Sequence, residues 1–231
     1  IIGDFKKNEA LKLIKKYFGE HKRSENDPPE MYTEEPKQEG PRRITVKRAG
    51  QTGVVGVGHK TPKGLHKDNY ALQLLGKILT DGKTSRFNKN IIDKGLATSV
   101  FMYDFPFKDN GMFISYIFLT PDTNHQTVED LVIDEYKSII NSGVTTEELR
   151  RAIAQTKAGV AFSRDGSYAV ASALNEAIAI GDWTYYTTFM ECIDIVSESN
   201  IQEAAEKYLI EDNSTTGWFV PKKVEATQDE V

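Results

Sequence analysis

Two sets of residues in this chain have types and spacings that invite a chemical reading. One is Gly82-Lys83-Thr84, inside the run from Asp81 to Val100. It looks like the end of a phosphate-binding loop, in which backbone amides ring the phosphates and the lysine meets their charge. Such a loop needs its first glycine at position 77, where Lys77 stands; Gly76 is one residue off. Ile78 and Leu79 belong to an apolar helical face, so the motif fails on spacing. Gly53, Gly56 and Gly58 run in the wrong order for a dinucleotide fingerprint and precede no clear helix. They read as a strand against which another backbone packs closely.

The other set is the histidines, His21, His59, His66 and His125. A helical zinc site takes two of them on one face, four apart, with a carboxylate to activate water. No pair here has that spacing, and Thr61-Pro62-Lys63-Gly64 keeps His59 and His66 off a common helix. Each reads as a surface or turn residue. Cys192 has no second thiol to pair with and reads as a small buried hydrophobe. No G-x-S-x-G occurs, and nothing marks one serine as a nucleophile. Trp183-Thr184-Tyr185-Tyr186 with Phe189 and Met190 reads as helix packing rather than a stacking platform. Arg150-Arg151 behind Glu147-Glu148 reads as a solvated helix face.

Composition narrows the field further. With 29 Lys and Arg against 34 Asp and Glu in 231 residues, the net charge of -5 gives no footprint for nucleic acid or an anionic membrane. No run approaches the roughly 18 apolar residues of a membrane helix. The lack of disulfides fits bacterial cytoplasm and periplasm alike, so the compartment is not legible. A hydrophobic content of 39% suffices for an ordinary core.

The elements that must carry these residues can be read in order. Ile1 to Asp4 looks like the end of a strand feeding a helix from Lys6 to Phe18, stopped by Gly19, as though the sequence began inside a larger protein. Residues 1–24 are therefore expected to be the tail of an upstream related unit. Lys22 to Pro41 holds four of the eight prolines and few large apolar groups, giving a linker over 25–41. A half-exposed strand (42–48), a glycine-rich strand (53–58) and a helix from Lys67 to Asp81 follow. Gly82 and Gly95 read as left-handed helix terminators around a short helix. Ala97 to Phe105 and Gly111 to Leu119 form an antiparallel pair. Thr123 with Gln126, Thr145 with Glu148 and Ser199 with Gln202 fit the capping box and set three helix starts, with Val144 and Leu149 stapling the middle one. Two further helices span Tyr168 to Ile180 and Trp183 to Val196; a strand from Ser214 to Pro221 and a polar tail over 223–231 end the chain. The expected class is α+β, a mixed or antiparallel sheet packed by helices over 42–222.

In that order, Gly3-Asp4-Phe5, Lys16-Tyr17-Phe18-Gly19, the Pro-rich linker, Ala71 to Leu79, Thr84-Ser85-Arg86-Phe87, Lys94-Gly95-Leu96-Ala97, Val144 to Leu149 and Lys207-Tyr208-Leu209 resemble the pitrilysin/insulinase-type zinc metallopeptidases. That family includes the mitochondrial processing peptidase and the core proteins of respiratory complex III. The resemblance covers nearly the whole chain and matches the second, non-catalytic domain of the paired α+β domains. It implies zinc in the full-length enzyme, held by an H-x-x-E-H and a downstream Glu outside this chain, with none bound here. It implies as partners the zinc-bearing N-terminal domain, peptide substrates, and a second family subunit in a homo- or heterodimer.

Relatives that hold substrate from this half use an Arg and a Tyr seven apart. The aligned positions here are Ile91 and Thr98, so the pair is missing, which fits the tail of a zinc-bearing subunit better than a dedicated partner subunit. Arg86 and Thr98 are the residues expected near the substrate chamber, and Arg at 91 with Tyr at 98 is expected to leave the fold intact. The family's usual Asp-Pro after Gly-Asp-Phe is replaced by Lys6-Lys7, a lost cap. The expected function is the non-catalytic C-terminal domain of a zinc metalloendopeptidase, walling the substrate chamber. Its alternatives are an inactive structural subunit of the core-protein kind and an independent peptide-binding module.

Overall fold

A computed structural model of the chain describes residues 1–26 and 36–222. Five strands, β1 (Arg42–Ala49), β2 (Val54–Lys63), β3 (Ala97–Phe105), β4 (Asn110–Leu119) and β5 (Ser214–Lys222), form one sheet in the order β1-β5-β2-β4-β3. Only β1 and β5 are parallel; the other neighbours are antiparallel. With the helices α1 (Lys7–Phe18), α2 (Asp68–Thr80), α3 (His125–Ser142), α4 (Thr146–Ser163), α5 (Gly166–Ile180), α6 (Thr184–Asp194) and α7 (Glu198–Tyr208), this is the expected α+β class.

Alternation along the strands sends one set of side chains into the core and the other to the opposite face. On β2, Val55, Val57, His59 and Thr61 are buried, while Val54, Gly56, Gly58 and Lys60 are not. On β4, Phe113, Ser115 and Ile117 point inward. Helices α2, α3 and α7 pack on this inner face, α4 and α6 pack on α2, and α5 packs on α6. The core is Leu72, Leu75, Ile78, Leu79, Phe87, Ile91, Phe113, Ile117, Val132, Tyr136, Ile139 and Ile201, all fully or almost fully buried. The other sheet face carries no helix of the described residues.

Gly82 and Gly95 take φ of 79° and 71°, as their terminator role requires. Between them the chain makes a π-helical turn, Asn88–Ile92. Thr145 and Glu148 form the expected capping box. The other two caps are corrected. Asn124, not Thr123, caps α3, because its carbonyl reaches two free amides while the Thr123 hydroxyl is held by Thr120. Ser197 with Asn200, not Ser199 with Gln202, caps α7, and Gln202 donates instead to the Ile140 carbonyl.

Other expectations change for physical reasons. Residues 1–6 form no strand, because no described strand lies beside them to complete the hydrogen bonds. Helix α1 buries none of its residues, and Leu11, Ile14, Tyr17 and Phe18 stand exposed. Strand β1 is exposed throughout rather than half-exposed, since it is the outermost strand and no helix covers it. Within the linker, Gln38 is buried and donates to the Ser214 and Gly40 carbonyls. The rest of the linker (27–35) and the tail (223–231) lie outside the described residues. Cys192 is only half-buried.

The largest correction is His59. It is no surface residue but 2% exposed on the inner face of β2, its ring edge-on to Tyr136 at 5.4 Å between centroids and both ring nitrogens without a partner. Burial pushes it down to about 4. The fold therefore favours its neutral form, and the stability that follows is present above the ordinary histidine value near 6.5 and lost as pH falls through 6.5 toward 4. His59→Leu should accordingly gain on the native chain by roughly 3 kcal/mol more at low pH than at neutral pH. Urea denaturation of both proteins near those pH values checks this; a pH-independent difference refutes it.

Candidate functional site

The bare face of the sheet carries a cleft of about 600 Å³. Its floor is made by what the strands omit. Gly56 lies in register between Tyr116 and Gly217, Gly58 between Ile114 and Thr215, and Gly217 beside Ile44 of β1. A Cβ built on Gly217 would meet nothing within 4 Å, and one on Gly56 would make ordinary contacts with the Tyr116 ring at 3.5 Å and the Gly217 carbonyl at 3.8 Å. Packing within the chain does not require glycine at either position; the effect of both is to keep the cleft open.

One wall is Phe107, Met112, Ile114 and Tyr116. Beyond it, Phe101, Tyr103 and Phe105 of β3 stack with Phe107 in a ladder, with centroid steps of 6.5, 5.7 and 5.9 Å. Phe118 and Tyr116 meet Phe101 and Tyr103 edge-on. Val46 and Phe219 stand on the opposite wall, and Gln38, Arg42, Lys60 and Asn213 make one end polar. An extended peptide with large apolar side chains matches this shape. Among the described residues the cleft holds no nucleophile with a base beside it and no carboxylate pair. His59 contributes backbone to the floor while its ring lies on the helical side, against Tyr136.

The structure brings neither Arg86 nor Thr98 into the cleft. Arg86 spans the junction of α3 and α4: its guanidinium donates to both Glu148 oxygens at 2.7 and 2.8 Å, to Glu135 at 3.0 Å and to the Gly143 carbonyl at 3.2 Å. Burial pushes the Glu148 carboxyl up, but donation from Arg86 and Thr145 more than reverses this and holds it at about 2. Glu148 is thus no part of a merely solvated face, unlike Glu147 and Arg150, which pair in the open. Thr98 is exposed on β3, its hydroxyl donating to the Phe118 carbonyl at 3.2 Å. Ile91 is fully buried. The expectation that arginine would be tolerated there is corrected: its charge would be trapped in the core without a partner.

The glycine floor and aromatic ladder had a signal that sequence reading missed. Residues 54, 56 and 58 share parity, as do 101, 103 and 105, and 112, 114, 116 and 118. Small residues on one strand thus face large ones on the next.

Zinc finds no fit among the described residues. His59 is under the sheet, His125 contacts the Phe219 carbonyl at 2.9 Å, His66 sits by Asp68, and no three His, Cys, Asp or Glu side chains converge.

Comparison with known proteins gives a consistent picture. Residues 1–156 match the family model described as the peptidase M16 inactive domain. The chain is 25% identical over 224 residues to zinc protease PqqE of Helicobacter pylori, covering 96% of this chain and 50% of that protein. It superposes on the crystal structure of a protease from Helicobacter pylori with a TM-score of 0.88 and 26% identity, over 95% of this chain and 54% of the other. A chain of complex III2 from Candida albicans shares the fold at a TM-score of 0.73 and 16% identity, over 94% and 53% of the two chains. The chain thus spans about half the length of the first curated relative it matches.

Ile91→Arg should destabilise the fold by about 3 kcal/mol or more, whereas Thr98→Tyr, at an exposed strand position, should change it by less than about 0.5 kcal/mol. Denaturant titration of the two single variants decides; equal stability would place position 91 outside the core.

Proposed function

Because the chain belongs to the peptidase M16 inactive-domain family, we propose that it serves as the non-catalytic C-terminal domain of a zinc-dependent metalloendopeptidase, its bare sheet face forming one wall of the chamber that holds peptide substrate. The observation that carries this reading is the glycine-floored cleft, a preformed apolar trough on the one sheet face that the described helices leave uncovered. Zinc and its ligands then belong to the other half of the protein. This chain's own contribution is to bind the peptide, orient it and exclude water around its apolar side chains.

Residues 1–24 are, on this reading, the tail of the preceding domain, and 25–41 link it to 42–222. The exposed apolar side of α1 would pack on that preceding domain, which accounts for Leu11 and Phe18 standing in solvent here. Arg86 reaches the substrate only indirectly, by fixing the segment that leads into β3. Thr98, near Gly53 and His125, lines a separate depression at the sheet's edge and would meet only a long substrate. Pairing with a second family subunit belongs to the same proposal.

The likeness to the complex III2 chain supports a second reading, a catalytically inactive structural subunit. An H-x-x-E-H in the preceding half of the protein favours the enzyme, and its loss favours the scaffold.

Gly217→Trp in the whole protein tests the wall. It should fill the cleft, shift the melting temperature by no more than about 2 °C, and slow hydrolysis of an unfolded peptide by about tenfold or more. Unchanged hydrolysis with a filled cleft would overturn the proposal.

A further inference from the structure

On the helical side of the sheet lies a second cavity, of about 480 Å³, between the end of β3 and helices α2, α4, α5 and α6. Asp104 enters it from β3, and both of its carboxylate oxygens are buried there without a hydrogen-bond partner. Protonation does not relieve this, because a neutral carboxyl still leaves a donor and an acceptor unmet in the same place. The lining cations are already engaged. Lys77 pairs with Asp81 at 2.8 Å, and Arg164 lies over the Tyr186 ring, 5.2 Å from its centroid. Glu176, exposed at the rim, adds a second carboxylate.

The remaining wall is aromatic and apolar. Tyr185, Tyr186 and Phe189 stand on α6, opposite Met102 and Ala177. The Tyr185 hydroxyl accepts from Gln73 at 2.9 Å, which fixes its ring. An unpaired carboxylate at one end of a cavity with aromatic walls is complementary to a positive charge on an apolar stem. A divalent metal would need several converging oxygens, and the groups beside Asp104 are mainly rings and aliphatic carbons. An anion would meet the carboxylate.

We propose that this cavity binds an organic cation, a primary ammonium or guanidinium on an alkyl or aryl stem, with Asp104 as its counter-charge and the α6 aromatic side chains as its walls. The stem is that of a free amine or of a lysine or arginine side chain; the cavity reads the chemistry they share. The site lies across the sheet from the cleft and does not depend on the substrate-chamber reading.

Asp104 is pushed up to about 7 by burial, so cation binding strengthens as pH rises through neutrality. The other ionisable groups lining the cavity are Lys77 from α2 and Asp81 just after it, Tyr103 from β3, Arg164 at the end of α4, Glu176 from α5, and Tyr185 and Tyr186 from α6. Among them Tyr185 is raised, chiefly by burial, to about 12.

Calorimetric titration of the full chain with phenethylammonium, with a short lysine-containing peptide, and with neutral 2-phenylethanol tests the site. Saturable binding of either cation should exceed that of the alcohol by about tenfold or more near pH 8, and should weaken toward pH 6. Asp104→Asn should lose about tenfold in affinity, and Ala173→Trp, which fills the cavity while sparing the carboxylate, should lose binding as well. Binding in the free-amine arm alone, or in the peptide arm alone, supports the site and identifies its source. No saturable binding of either cation, equal affinity for the alcohol, or full affinity in Asp104→Asn overturns it.

Discussion

The structure depends on one constraint: a five-stranded sheet, with alternating inward and outward residues on its central strands, whose described helices cover a single face. Inward residues of β2 and β4 are mainly apolar, because α2, α3 and α7 exclude water from that side, and the unpartnered ring of His59 and hydroxyl of Thr61 are the costly exceptions. Outward residues escape this demand, and the chain uses the freedom in opposite ways on neighbouring strands. Glycine at 56, 58 and 217 removes side chains from the centre, while β3 and β4 raise aromatic rings beside it. A slip of one residue in register would put Val55 and Val57 in solvent and bring the glycines inward. Cleft and core are therefore fixed by the same pairing.

The segment from Asp81 to Leu96 carries α2 into β3, and a single carboxylate ties it down. Glu148 accepts from the Thr145 backbone amide to start α4 and from the Arg86 guanidinium to hold the segment. Because Arg86 also reaches Glu135 and the Gly143 carbonyl, the end of α3, the start of α4 and the hinge are fixed together. A local helix-start signal has become a tertiary anchor. What looked in the sequence like a phosphate loop followed by an ordinary capping box is one mechanical joint.

How much of this could be read beforehand follows from the range of each signal. Strand alternation, helical periodicity and the Thr145–Glu148 box act within a few residues, and they appear where expected. Hydroxyls at Thr123 and Ser199 misplaced two helix starts because Asn124 and Ser197 competed for the same amides. Periodicity also cannot say which face of a strand is covered, so neither the burial of His59 nor that of the Asp104 carboxylate is visible in the sequence. Gln38 is buried inside a stretch whose composition argues for solvent, because its amide finds the Ser214 carbonyl across the sheet end. The peptidase resemblance needed only order and spacing. The cleft needed the knowledge that three glycines from two strands stand side by side.

Two buried ionisable groups on the inner face have opposite effects, and their windows overlap. His59, held down at about 4, makes the fold gain stability as pH rises from 4 to 6.5. Asp104, pushed up to about 7 from 3.8, makes it lose stability over nearly the same interval, because ionising a buried carboxyl is disfavoured in the native state. The shifts are of similar size and opposite sign, so the contributions of these two groups largely cancel between about pH 4 and pH 6.5. Below that window Asp104 no longer opposes acid. Glu148, held at about 2, then loses the stabilisation of its pairing with Arg86 as pH falls from the ordinary glutamate value toward 2, which weakens the tie between the hinge and the start of α4. Above the window the unpaired charge of Asp104 weighs on the fold, and a cation seated beside it would lift that cost. The cavity on the helical side is thus a point at which a ligand can stabilise the whole inner face.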